Sequence, residues 1–463
     1  MSRDTAIANA HAYFDDGSFV AEMARRVAYR TESHVPAQLP ESYRYLDEEI
    51  VPAFARMGFE CEVLDNPVAG GGPVLYAGRI EDVALPTVLT YGHGDVVRGI
   101  PEEWSEGLDP WTVTQRGDRL YGRGTADNKG QHTINMAALD AALGARGRLG
   151  FNCKVMLEMS EEPGSPGLPE TASQHKEKFA ADVLIASDGP RLTPSRPALT
   201  LGSRGSYIFT LSLKLREGGV HSGHYGGLIR NPGITLAHAL ASFTTPNEKI
   251  LVDALKPQGI PNSVRVALAE CVVDPGGDAP TPDPEIGEPG LTPAERLYGW
   301  SSFNILAFTC GNPDNPVNAV PPAALATCQM RFTVDTDYRE FLPAIRRHLD
   351  AHGFGMIEVE WDEAHFFPAT RCDIDDPWVQ WTAASVRRTT GEPPHICPNA
   401  SGGLPTQVFI DILGMPSIFV PHSYGGCKQH GPDEHLLLSA SREALGVMAG
   451  IFWDLGEEGT PKR

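Results

Sequence analysis

The chain has 463 residues, with 59 acidic against 38 basic side chains and a formal charge of -21. It exceeds the usual size of one domain, and its charge has the wrong sign for binding nucleic acid or an anionic membrane. Hydrophobic residues at 41% and charged residues at 21% match a soluble globular protein with material for a full core.

In chain order, the opening segment reads as helices. Phe19 to Ala28 and Glu41 to Met57, the second after Pro40, carry apolar residues at helical spacing. Pro86 to Tyr91 reads as a buried strand running into Gly92-His93-Gly94-Asp95, and His132 to Leu143 as a helix. Phe151 to Met159 is a second strand, ending at Ser160-Glu161-Glu162, and Asp182 to Ala186 a third, ending at Ser187-Asp188-Gly189. This alternation predicts an α/β fold, a mostly parallel sheet flanked by helices. After Arg196 the pattern changes. Ser206 to Leu215 and Ala324 to Val334 alternate apolar and polar residues, as half-exposed antiparallel strands do. Thr235 to Phe243 and Tyr338 to His352 read as helices on that sheet, and Pro275 to Pro293 as a long surface loop. Pro416 to Val420 returns to the buried-strand style before Pro421-His422, and Asp433 to Trp453 reads as a helix. The expected organisation is a catalytic domain in two parts, residues 1–198 and 388–463, interrupted by a smaller α+β domain at 199–387.

The eight cysteines (Cys61, Cys153, Cys271, Cys310, Cys328, Cys372, Cys397 and Cys427) include no Cys-x-x-Cys pair, which argues against a disulfide framework or a local thiolate metal site. No stretch approaches 18 uninterrupted apolar residues, and Met1-Ser2-Arg3-Asp4 lacks the apolar core of a signal peptide. The expected home is the cytoplasm.

Candidate metal-binding residues recur where predicted strands run into loops: His93 with Asp95, Glu161 with Glu162, and Asp188, joined by Asp127 and His430. Ligand sites of open α/β sheets gather outside the carboxyl ends of the strands. Two imidazoles, His93 and His430, with carboxylates from Asp127, Glu162 and Asp188, make about the set that two divalent ions sharing a carboxylate require. Mixed nitrogen and oxygen donors favour zinc, with cobalt or manganese as substitutes. Glu161, left unliganded beside them, could take the proton from an attacking water, and Asp95 could orient the His93 ring. Taken singly, each residue has an ordinary structural reading as turn, surface or core. Their joint occurrence argues for chemistry.

The chain resembles the M20 metallopeptidases, the group of carnosine-type dipeptidases, glutamate carboxypeptidases and amino-acid deacylases. The resemblance rests on Gly92-His93-Gly94-Asp95-Val96-Val97, on Tyr121-Gly122-Arg123-Gly124-Thr125-Ala126-Asp127-Asn128-Lys129-Gly130, on Glu161-Glu162-Pro163-Gly164-Ser165, on Ser187-Asp188-Gly189-Pro190 and on His430-Gly431-Pro432-Asp433-Glu434-His435. It implies a zinc-peptidase domain with an inserted lid and dimerisation domain. His93 and Asp188 would hold one zinc, Glu162 and His430 the other, and Asp127 would bridge, with a cis peptide between Asp127 and Asn128. Glu161 would be the general base acting on a metal-bridging water, and Asp95 its supporting acid. His221, within Gly219-Val220-His221-Ser222-Gly223-His224, would reach the partner subunit's site in a homodimer and stabilise the oxyanion. Asn318 and Arg331 resemble lid positions that hold substrate, Arg331 pairing with a carboxylate. Gly402 and Gly403 would offer backbone amides to the same group. They stand in Asn399-Ala400-Ser401-Gly402-Gly403-Leu404-Pro405, where many relatives carry an Arg-Glu-Gly-Gly-type segment.

His224 has no assigned role, and His422 and His435 are alternative ligands behind His430. The implied activity is hydrolysis of a peptide or amide bond in a small carboxylate-bearing substrate, of dipeptidase or carboxypeptidase type. The alternatives are a deacylase of N-acyl amino acids with the same machinery and a non-catalytic metal-binding scaffold.

Overall fold

The computed structural model describes residues 2–274, 280–457 and 459–461. Residues 275–279 of the loop expected at Pro275 to Pro293, and Met1 of the opening segment, lie outside these. The strands that matter are, in chain order, β1 (Glu60–Leu64), β2 (Val74–Arg79), β3 (Thr87–His93), β4 (Asn152–Glu158), β5 (Val183–Ala186), β6 (Ala198–Thr200), β7 (Gly205–Lys214), β8 (Ser302–Cys310), β9 (Ala323–Phe332), β10 (Glu358–Phe367), β11 (His395–Cys397) and β12 (Ser417–Phe419). Eight of them form one sheet in the order β1-β2-β4-β3-β5-β12-β6-β11. The centre is parallel: β4, β3, β5 and β12 run the same way, with His93 opposite Glu158 and Phe419 opposite Ala186. Towards the edges the sheet turns antiparallel, at β2 against β4 and at β6 against β12.

Each central strand buries both faces, as a sheet covered on two sides requires. On β3, Val88 belongs to the larger hydrophobic cluster and Leu89 and Tyr91 to the cluster on the opposite face. The larger cluster is roofed by two long helices, Lys129–Arg146 and Leu438–Leu455. The other lies under the Leu168–Gln174 helix and the Val408–Ile412 turn.

The remaining four strands form an antiparallel sheet, β8-β9-β7-β10. Tyr207, Phe209, Leu211 and Leu213 of β7 alternate inward, as the period-two pattern predicts. They pack with Cys328 and Met330 of β9 against the helices Pro232–Ala241 and Phe341–Ala351. This sheet has its own core, separate from the two around the large sheet. Not everything between residues 199 and 387 belongs to it: Val264, Leu268, Trp378 and Val386 are buried in the large sheet's cluster.

Two expected helices differ in detail. Glu41 to Met57 is helical but opens into a π turn at Leu46–Ile50, just before Pro52, which has no N–H to donate into the ladder. Asp433 to Trp453 becomes a helix only at Leu438. The residues before it do other work, since His435–Leu437 pairs antiparallel with Arg119–Tyr121.

Candidate metal centre

Because β3, β4, β5 and β12 are parallel, their carboxyl ends open onto one edge of the sheet, where His93 ends β3 and the loops leaving β4 and β5 carry Glu161 with Glu162, and Asp188. Asp127 comes from a fourth direction, the loop leading into the Lys129–Arg146 helix. That loop is tied down from behind. The buried carboxylate of Glu434 accepts hydrogen bonds from Arg123 Nη1 (2.8 Å) and from the amides of Gly124 (3.0 Å), Ala126 (2.9 Å) and Asp127 (3.0 Å). Lys129, fully buried, donates to the carbonyls of Arg26 (3.0 Å) and Tyr29 (2.7 Å). Asn128 donates to the Ser187 carbonyl at 2.9 Å. The peptide between Asp127 and Asn128 is cis.

At the centre, the Asp127 carboxylate stands between two imidazoles. Oδ1 is 3.0 Å from His93 Nε2, and Oδ2 is 3.1 Å from His430 Nε2. Gln429, which sequence reasoning missed, donates to Oδ2 at 3.0 Å. Around the first imidazole, His93 Nε2 lies 3.8 Å from Asp188 Oδ2 and 4.0 Å from Glu161 Oε2. Around the second, His430 Nε2 lies 3.0 Å from Glu162 Oε2. Two triads of ligand atoms result, each within 4.8 Å: His93, Asp127 and Asp188, then Asp127, Glu162 and His430. They share Asp127. Asp95, fully buried, sits behind: Oδ1 is 3.3 Å from His93 Nδ1, and its two oxygens accept the amides of Glu161 (3.0 Å) and Glu162 (3.1 Å). One side chain thus orients the first imidazole and fixes the backbone carrying the two glutamates. His430 lies in a loop where Lys428, His430 and Asp433 all take positive φ, a conformation costly for side-chain-bearing residues. Asp433 anchors that loop by accepting the Ser105 amide (2.8 Å) and hydroxyl (2.6 Å).

The electrostatics are those of an anionic cluster short of positive charge. Burial, then repulsion from Asp188, Glu162 and Asp127, drives the Glu161 carboxyl well above the usual range, against the pull of His93. Burial also raises Glu162 and Asp188, with Asp127 adding repulsion in both. The hydrogen bonds to Asp127 and Glu162 hold the His430 imidazolium up to about 11. Burial works against a charged His93, but bonds to Asp127 and Asp95 outweigh it and raise this group too. Asp188 Oδ2 is buried with no hydrogen bond, and Glu162 Oε2, also buried, meets only the His430 imidazole at 3.0 Å. Buried anionic oxygens without donors cost several kcal/mol unless a cation meets them. The donor set therefore fits divalent metal.

The alternative ligands lie elsewhere. His422 Nε2 is 2.9 Å from the Ser187 hydroxyl, and His435 Nε2 is 2.6 Å from the Tyr424 hydroxyl. His221 and Asn318 are both exposed, at the short antiparallel pairing of Val220–His221 with Ala319–Val320, where the Ser222 amide donates to the Asn318 carbonyl at 2.9 Å. His221 Nδ1 accepts the Gly223 amide at 3.1 Å, and its ring stacks on His224 at 4.4 Å. Arg331, Gly402 and Gly403 line one cavity of about 360 Å³ together with Asp127, Glu161 and Asp188. Behind that cavity, Arg204 donates from Nε (3.3 Å) and Nη2 (3.1 Å) to the Ser401 carbonyl. Glu158 was also missed, since nothing in its strand marks it. It accepts from the Tyr91 (2.7 Å) and Ser165 (2.9 Å) hydroxyls, and burial pushes it up to about 8.

The model of peptidase family M20/M25/M40 matches residues 89–454. The Beta-Ala-His dipeptidase of Mus musculus is 36% identical over 193 residues, 41% of this chain. The chain spans about two fifths of that relative's length (39%). The cysteinylglycine-S-conjugate dipeptidase of Corynebacterium striatum is 26% identical over 329 residues, 70% of each chain. The crystal structure of human carnosine dipeptidase 1 superposes with a TM-score of 0.79 at 22% identity, covering 97% of this chain and 98% of that one. Among the described residues, no helix is long and apolar enough to cross a membrane.

Two outcomes are expected of this geometry. Glu434→Ala should weaken divalent-cation affinity about 10–100-fold, as losing an outer-shell partner does, measured by chelator competition; unchanged affinity would show that the clamp is dispensable. Protons compete with cations for Glu162 and Asp188, whose folded carboxyls titrate above their unfolded values. Without metal, that excess of bound protons favours the folded state at low pH, and the advantage is lost as pH rises through the folded values. Zinc should therefore raise Tm more at pH 8 than at pH 5 in scanning calorimetry of metal-free protein. An increment independent of pH would contradict this.

Proposed function

The chain belongs to peptidase family M20/M25/M40, and from that premise we propose that it is a di-zinc dipeptidase, hydrolysing a small peptide that ends in a free carboxylate. The observation that carries the reading is one carboxylate, Asp127, shared between two separate triads of donors. In this proposal His93, Asp188 and Asp127 hold one zinc, and Glu162, His430 and Asp127 hold the other. Nitrogen and oxygen donors without thiolate suit zinc, and cobalt or manganese could replace it. When bound, such ions polarise the scissile carbonyl and make water acidic enough to attack at neutral pH.

The rest falls to the chain's own residues. Glu161 Oε2, 4.0 Å from His93 Nε2, takes a proton from the attacking water. It returns that proton to the departing nitrogen, so that one water and one amide give a carboxylic acid and an amine. Arg331, half-buried on the cavity wall, receives the substrate carboxylate together with the amides of Gly402 and Gly403. Asp95 holds the His93 ring and both glutamate amides still during these transfers.

The antiparallel sheet serves as lid and as the contact between two copies in a homodimer. Its edge strand β8 leaves Ile305 (49%), Leu306 (52%) and Phe308 (45%) exposed, an apolar rim that a second chain would cover. His221 then serves the partner's site. Its Nδ1 accepts the Gly223 amide, which places the proton on Nε2 and makes that atom a donor for an oxyanion. The eight cysteines are unpaired, which supports residence in the reducing cytoplasm.

Glu161→Gln should cut kcat by at least about 10²–10⁴-fold while metal analysis still finds two ions per chain. A variant that keeps its turnover would dismiss Glu161 as the base, and a zinc-loaded wild type inert on every dipeptide would dismiss the activity. His221→Ala should lower kcat about 10²–10³-fold with the metal content unchanged. Full activity in a monomer by sedimentation would rule out service to a partner.

A further inference from the structure

We infer that Phe367 is a specificity-determining residue, closing the catalytic cavity off from a neighbouring pocket and so limiting the substrate's C-terminal residue to a small side chain. The inference rests on the dipeptidase reading and adds the class of dipeptide.

The neighbouring pocket has a volume of about 290 Å³ and a mixed lining, with Val68, Phe367, Leu404 and Val408 on its apolar side and Glu170 and Gln407 on its polar side. Leu404 also lines the catalytic cavity, as does Gly403 just before it. On the other side, Gly164 follows the base by three residues, its amide donating to the Glu161 carbonyl at 2.7 Å. The Phe367 ring stands between these two loops. A Cβ on Gly164 would meet its Cε2 at 3.1 Å and its Cζ at 3.2 Å, and a Cβ on Gly403 would meet its Cδ1 at 3.7 Å. Gly164 also takes φ +98°, so no side chain on that loop can stand in for the ring.

The substrate's anchors define where this ring acts. The scissile carbonyl faces Asp127 and Glu161, and the carboxylate meets Arg331 and the Gly402-Gly403 amides. The Cα joining them is therefore held between the base's loop and the glycine loop, and its side chain points at the gap that Phe367 fills. Glycine or alanine fits there; leucine or phenylalanine meets the ring. The ring is not free to swing aside with its strand. The preceding Phe366 is packed against Tyr338 (4.6 Å between centroids) and Trp361 (5.5 Å) in the core of the antiparallel sheet, and Pro368 follows. Behind the ring lies a space near the lower end of small-ligand pocket sizes, about 300 Å³, with room for a larger side chain against Leu404 and Val408 once the ring is removed.

The test is kcat/KM of zinc-loaded enzyme on Ala-Gly and Ala-Leu. Wild type should favour Ala-Gly at least tenfold. Phe367→Ala should move the ratio at least tenfold toward Ala-Leu, and Phe367→Leu part of the way, which keeps the test alive if the alanine variant does not fold. Adding Val68→Trp, which refills the pocket from its exposed rim, should reverse the gain. A wild type that takes both peptides equally well, or a ratio unmoved in both variants, overturns the inference. A wild type that hydrolyses neither peptide overturns the dipeptidase reading itself, and this inference with it.

Discussion

The structure answers to one electrostatic constraint: four carboxylates, Asp127 and Asp188 buried and Glu161 and Glu162 largely so, face two imidazoles across a few ångströms. Like charges that close cannot all ionise in a low-dielectric site, so the protein either holds protons there or holds cations. The surrounding structure keeps the carboxylates from drifting apart to relieve the strain. Asp95 grips the backbone of both glutamates, and Glu434 grips the loop that presents Asp127. Both gripping side chains are themselves buried acids satisfied by N–H donors. The rigidity of an anionic centre is thus built with further anions, which works because backbone amides supply the compensating dipoles.

The parallel strands explain why so dispersed a set can meet at all. His93, Glu161 and Asp188 stand far apart in sequence, yet each follows the carboxyl end of a strand in the same layer. That much was legible from the chain, because short apolar runs ending in His-Gly-Asp, Ser-Glu-Glu and Ser-Asp-Gly announce both strand and site. The cis peptide at Asp127 also agrees with what the resemblance implied. The edge strands β1 and β2 and the outer strands β8 and β10 went unread. Their exposed or irregular alternation carries little periodic signal, as with the run of exposed residues along β8.

Outer contacts were the least legible. Glu434 was visible only as a letter in a motif, and nothing in its neighbourhood says that four donors converge on it. Gln429, Arg204 and Phe367 are of the same kind: their roles come from loops brought together by the fold, and no local spacing encodes that. Phe367 in particular ends a strand of the small sheet yet touches two loops of the large one, so its role exists only where the two sheets meet.

The placement of His430 and Glu434 has a consequence for the timing of synthesis. Both follow every other member of the cluster along the chain and are therefore synthesised after them. Until then the Asp127 loop lacks its clamp and the second triad lacks its imidazole. A chain cut before residue 430 therefore lacks one imidazole of the second donor triad.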